Sequence, residues 1–100
     1  MKPGIRLRSA VCDTEVIVIK AGAENLVLEC GGLPMIEAGM RPGQRSKLDP
    51  RLSGGSEVGK RYGDLSRDLE VLCVRSGAGT LALSGQPLPV ISARPLPSAD

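Results

Sequence analysis

Residues 15–20 (EVIVIK) form a nearly unbroken β-branched apolar run. In an extended chain Val16 and Val18 face one side, and Ile17 and Ile19 face the other. Apolar residues on both faces predict a strand covered on both sides. Residues 21–25 (AGAEN) interrupt the run, residues 26–30 (LVLEC) resume it, and Gly31-Gly32 ends it. This reads as a hairpin with a loop of about five residues. The same alternation returns in residues 70–75, 76–80 and 81–84. Each stretch leads into a proline-containing apolar tail, Leu33-Pro34-Met35-Ile36 and Leu88-Pro89-Val90-Ile91. Proline has no N–H to donate, so these tails are expected as edge strands or extended segments. Helix is expected only as a turn near residues 65–69.

The second stretch looks like a copy of the first. An ungapped shift of 55 lays residues 1–36 on 56–91, with identities that include Gly4/Gly59, Arg6/Arg61, Glu15/Glu70, Val16/Val71, Gly22/Gly77 and Leu33/Leu88. A repeated unit of this size generally cannot bury its apolar face alone. The expected fold class is therefore all-β: two tandem hairpin-centred repeats forming a pseudo-two-fold small barrel or sandwich. Residues 1–36 would be repeat one, 37–55 a linker mobile at least in part, 56–91 repeat two and 92–100 a loose tail, together one compact domain.

Composition narrows the chemistry. Of 100 residues one is aromatic, so the core must be built from Val, Ile, Leu and Ala. Thirteen basic and eleven acidic residues leave a net charge of +2, too small to argue for nucleic acid, and there are no aromatic platforms for bases. No apolar run approaches the ~20 residues of a membrane helix. The N-terminus lacks an apolar segment of signal-peptide length. An odd three cysteines suit a reducing compartment. The expected location is cytoplasmic, with no nucleic-acid or membrane partner. The absence of histidine removes the commonest general base and imidazole metal ligands. Gly77-Ala78-Gly79 sits between two strand-like runs and reads as a hairpin tip, not a phosphate loop.

The sharpest chemistry lies in Ser9-Ala10-Val11-Cys12 and Cys30-Gly31-Gly32-Leu33-Pro34-Met35. Here the chain resembles desulforedoxin and the N-terminal domain of desulfoferrodoxin. Those are short β units with a C-x-x-C pair, a strand, a glycine-rich hairpin, a second strand and a C-C-G-x-x-M ending. The resemblance covers residues 5–36. It implies a four-thiolate iron site in a unit that is a homodimer when free-standing. Cys12 stands at the second cysteine of the pair, Cys30 at the third, and Gly32 and Met35 at the G-x-x-M ending. Ser9 replaces the first cysteine and Gly31 the fourth, while Asp64, Arg67, Gly85 and Gln86 occupy the corresponding places of the second repeat. At most half a site remains, and two thiolates do not complete a tetrahedral Zn or Fe site.

Three readings of Cys12 and Cys30 stand open: an inert structural pair, a Zn or Fe site completed by Asp13, Glu29 or a second chain, and a redox-sensitive disulfide. Cys73 aligns with strand residue Val18 and is expected to be distant from them, a small buried hydrophobe. Gly31-Gly32 is expected to serve backbone conformation. Arg41, Arg45, Lys47 and Arg51 are expected as a solvated cluster, and Met35 and Met40 as gap fillers. Asp13/Asp68 and Glu15/Glu70 are expected in capping or ion pairing, ahead of paired-carboxylate catalysis.

The functional expectation is a non-enzymatic accessory or interaction protein on a degenerate desulforedoxin-like scaffold, with no cofactor. A protein partner or homo-oligomer would accompany it. The alternatives are a small Zn- or Fe-binding or thiol-redox protein using Cys12 and Cys30, or a small subunit of an enzyme complex.

Overall fold

The computed structural model describes residues 1–23, 25–40 and 47–91. The expected tail, Arg41, Arg45 and the middle of the expected linker lie outside these residues. The architecture is all-β, two antiparallel sheets, and neither sheet closes into a barrel among the described residues. The strands are β1 (Arg6–Arg8), β2 (Glu15–Ala21), β3 (Leu28–Cys30), β4 (Leu33–Pro34), β5 (Ile36–Glu37), β6 (Arg61–Asp64), β7 (Leu69–Arg75), β8 (Leu81–Leu83) and β9 (Gln86–Pro87). One sheet runs β5-β1-β2-β7-β6 and the other β4-β3-β8-β9. Two short 3-10 turns, Pro50–Leu52 and Leu65–Arg67, are the only helical segments among the described residues.

The pairing corrects the expected hairpins. β2 does not pair with β3, nor β7 with β8; β2 lies between β1 and β7, and β3 between β4 and β8. The chain crosses from one sheet to the other after β2 and again after β7. The physical reason is burial. A β2–β3 hairpin would leave the Val16–Val18 face bare, whereas the crossing lets Leu28, Cys30, Leu81 and Leu83 cover it in one cluster. The tight turns are elsewhere, at Gly31-Gly32 between β3 and β4 and at Ser84-Gly85 between β8 and β9, all at positive φ. The first proline tail reaches a sheet edge, with Pro34 in β4. The second, Leu88-Pro89-Val90-Ile91, is no named strand but runs along the edge strand β6, where Val90 bridges Tyr62 and Gly63 N–H donates to the Pro89 carbonyl.

β2 is buried on one face, not two. Val16 and Val18 are wholly buried, Ile17 is half-buried and Ile19 is 40% exposed. In β7, Leu69, Val71 and Cys73 point inward while Leu72 and Val74 are half-buried. Tyr62, the one aromatic residue, is buried, and its hydroxyl accepts the Glu57 N–H at 2.9 Å.

The two ladders mirror themselves. In β2–β7, Val16 faces Cys73, Ile17 faces Leu72 and Val18 faces Val71, with a register shift on either side. In β3–β8, Leu28 faces Leu83, Glu29 faces Ala82 and Cys30 faces Leu81. The Val18 carbonyl accepts from Gly4 N–H as the Cys73 carbonyl does from Gly59 N–H, a shift of 55. The Leu28 carbonyl accepts from Met35 N–H as the Leu81 carbonyl does from Leu88 N–H, a shift of 53. The ungapped alignment therefore matches the hydrogen bonding through β1 and β2 and slips by two beyond them. Cys30 corresponds in this bonding to Leu83, not Gly85.

Residues 47–55 are more than a tether. Asp49 N–H bonds to Gly31 C=O, and the Leu52 carbonyl accepts from Thr80 N–H at 2.8 Å. Leu52 is buried, and the Asp49 carboxylate caps its 3-10 turn through Arg51 N–H.

Candidate functional site

The loop from β1 to β2 curls because Ser9 and Thr14 close it. Ser9 N–H donates to Thr14 C=O at 2.8 Å. The buried Ser9 hydroxyl accepts from the N–H groups of Val11 and Cys12, each at 3.1 Å. A serine folding its side chain onto the following amides makes a local turn of this kind. Asp64 does the same one half later, accepting Ser66 N–H at 3.0 Å. Ser9, at a ligand position in the resemblance, thus serves as a turn residue.

That turn carries Cys12 to the end of β3, where Cys30 is fully buried, and the two sulfurs stand 3.8 Å apart. Gly79 passes directly over them and its N–H donates to Cys12 Sγ at 3.3 Å. A Cβ on Gly79 would lie 2.8 Å from Cys30 Sγ and 3.1 Å from Cys12 Sγ, so glycine is needed for close approach. Its neighbour Thr80 anchors the crossing, its carbonyl accepting Gly31 N–H at 3.0 Å.

Thr14 is fully buried beside Cys12, with Oγ1 at 3.2 Å from Cys12 Sγ and 2.6 Å from Ser56 Oγ. The Cys12 thiol donates to Thr14 Oγ1; once the thiol is ionised, the Thr14 hydroxyl, held by Ser56, turns its proton to the sulfur. Cys73 is closer to this group than expected. Its thiol donates to Arg75 C=O at 3.2 Å, and both the Ser56 hydroxyl and the Cys12 charge act on it.

The two sulfurs have opposite acidities. Burial alone would raise the Cys12 thiol, but hydrogen bonds from Ser9, Thr14 and Gly79 outweigh it and bring the thiol down to about 7. Burial pushes Cys30 up to about 12, and the charge of Cys12 beside it adds to the rise. Burial also raises Cys73. A partly exposed thiolate next to a buried neutral thiol is an arrangement for nucleophilic attack followed by internal resolution.

Apart from Asp13 and Glu15, which line the opening at Cys12, the other candidates do not join this group. Glu15 pairs with Arg6 at 3.5 Å and Glu70 with Arg61 at 3.4 Å, each across neighbouring strands. Asp68 reaches Lys20 at 4.0 Å with both side chains largely exposed. Arg51 pairs with Asp49, Met35 packs on the core and Met40 is exposed. No group of three or more Cys, Asp or Glu suited to a metal occurs among the described residues. Among the described residues, no helix is long and apolar enough to cross a membrane.

Cys12 opens on a small pocket of about 80 Å³ lined by Arg8, Ser9, Asp13, Glu15 and Arg75. Thr14, Ser56 and Gly79, which set the chemistry of Cys12, escape sequence reasoning. The last two reach the site from 42 and 67 residues away along the chain. No protein-family model, no curated protein and no solved structure matches this chain.

Proposed function

We propose that the chain is a small thiol redox protein whose working group is the Cys12–Cys30 dithiol. The observation that carries this reading is the 3.8 Å contact of two sulfurs in unlike surroundings, one hydrogen-bonded and accessible, one buried. Cys12 is the attacking thiolate. With an external disulfide it forms a mixed disulfide and releases one thiolate. Cys12 then carries no charge, which removes its repulsion of a Cys30 thiolate and leaves burial, the larger cause, to hold the proton. Cys30 loses its proton and attacks Cys12 Sγ. The second thiolate leaves and takes that proton, so the external disulfide gains the two electrons the pair has lost.

The scaffold reading belongs with it. The mirrored registers of β2–β7 and β3–β8 support two fused copies of one β unit, in which the halves replace the two chains of a homodimer. The resemblance to desulforedoxin points the same way. Only the first half retains thiols at the ligand positions; Arg67 and Leu83 hold the corresponding places in the second.

A second reading is favoured by the same distance. Two sulfurs each ~2.3 Å from one tetrahedral ion stand about 3.8 Å apart. Zn or Fe held by Cys12 and Cys30 would then need two further ligands from a second molecule. One experiment separates these readings: metal analysis of the reduced protein, with thiol counting before and after treatment with diamide. Loss of Cys12 and Cys30 thiols, with Cys73 retained and two hydrogens lost by mass, supports the dithiol. Stoichiometric metal masking two thiols supports the second reading. Three thiols that survive oxidation without metal return the chain to an interaction scaffold.

A further inference from the structure

Resting on the dithiol reading, we infer that the oxidant received by Cys12 is hydrogen peroxide, admitted through the pocket between Arg8 and Arg75. The pocket holds about 80 Å³, against the ~300–1,000 Å³ of clefts that bind larger organic ligands. It has room for a few water-sized molecules. Two basic residues, Arg8 and Arg75, and two acidic ones, Asp13 and Glu15, line this opening. Such a balanced rim gives no net pull to an anion and suits a small neutral oxidant. Guanidinium N–H groups can donate to a departing oxygen. Gly79 N–H and the Thr14 hydroxyl hold the sulfur from the protein side. Cys30 is wholly buried, so its reaction with Cys12 is internal and needs no second reagent.

The step balances as follows. Cys12 sulfur attacks one peroxide oxygen; an S–O bond forms, the O–O bond breaks, and hydroxide leaves as water after taking a proton from solvent. Cys12 is now a sulfenic acid. Cys30 sulfur attacks Cys12 sulfur, an S–S bond forms, the S–O bond breaks, and hydroxide leaves with the Cys30 proton as a second water. The two sulfurs lose two electrons and the peroxide gains two.

The test uses the full reduced chain with a metal chelator at neutral pH. Disulfide formation is followed with hydrogen peroxide, cumene hydroperoxide, oxidised glutathione and diamide as separate oxidants. Hydrogen peroxide is expected to be at least about tenfold faster than cumene hydroperoxide or oxidised glutathione, because access governs the rate. In Cys30→Ser, dimedone should label Cys12 once per chain after peroxide; in Cys12→Ser, peroxide should leave Cys30 reduced. Equal or faster oxidation by the two bulky reagents overturns the peroxide assignment and leaves the dithiol standing. Failure of every oxidant, diamide included, removes the dithiol and the inference with it.

Discussion

The N–H of Gly79 donates to Cys12 Sγ at 3.3 Å, so a residue of the second half completes the thiol site of the first. Gly79→Ala puts a methyl group against both sulfurs. The expected outcome is a folded chain in which the sulfurs are forced apart, the Cys12 thiol pKa rises and disulfide formation slows. Thiol alkylation across pH, with circular dichroism as the check on folding, reads this directly. An alkylation profile identical to that of the parent chain would refute the close approach.

Acidity gives the second prediction. With Cys12 at about 7, its alkylation rate should climb tenfold per pH unit below 7 and level off above it, while Cys30, at about 12, stays unreactive. Stability follows with two signs. The Cys12 thiol is lowered from 9.0, so its contribution is complete above 9 and lost as pH falls through 7. The Cys30 thiol is raised from 9.0, so its contribution is complete below 9 and lost as pH rises through 12. Urea midpoints of Cys12→Ser should therefore change less between pH 7 and 9 than those of the parent chain.

Burial separates neighbouring aliphatic residues. Leu81 is 1% exposed, and Leu81→Ala should cost about 2–5 kcal/mol. Ile19 is 40% exposed, and Ile19→Ala should fall within about 0.5 kcal/mol of the parent. Chemical denaturation of the pair measures both. Equal losses would mean that β2 is covered on both faces after all.

Ser84 carries a strained backbone, with φ of 51° ahead of Gly85 at 79° in the β8–β9 turn. Asparagine tolerates this region better than serine, and Asn-Gly suits a two-residue hairpin loop. Ser84→Asn should stabilise the chain by about 0.5–1 kcal/mol, read as a raised urea midpoint without change in thiol reactivity. A lowered midpoint would show that the turn is held by the serine hydroxyl.

Strand positions were legible because alternation and turn glycines are local signals. Strand partners were not: β2 takes β7 as a neighbour some 50 residues on, and nothing in EVIVIK says whether Ile17 or Val18 faces the core. The slip from 55 to 53 was hidden for a related reason. Leu26, Leu28, Leu81 and Leu83 recur every second residue, so a two-residue shift keeps each leucine on its own face. Cys12 and Cys30 were legible only as types at matching spacings. The residues that divide their acidities, Thr14 and Gly79, carry no spacing that marks them. Ser9 stood out as a missing cysteine, and its turn-forming role needed the loop itself.

The two halves meet along two hydrogen-bonded seams, β2–β7 in one sheet and β3–β8 in the other. Parting them would turn two central strands into open edges at once, in both layers, and such edges seek pairing. The segment joining β5 to β6 keeps the complementary edges at an effective concentration on the order of millimolar, far above that of a second molecule. Shortening that segment would tilt the competition. A chain unable to fold back would lend its second half to a neighbour and receive one in return, giving an exchanged dimer with the same seams and two thiol pairs.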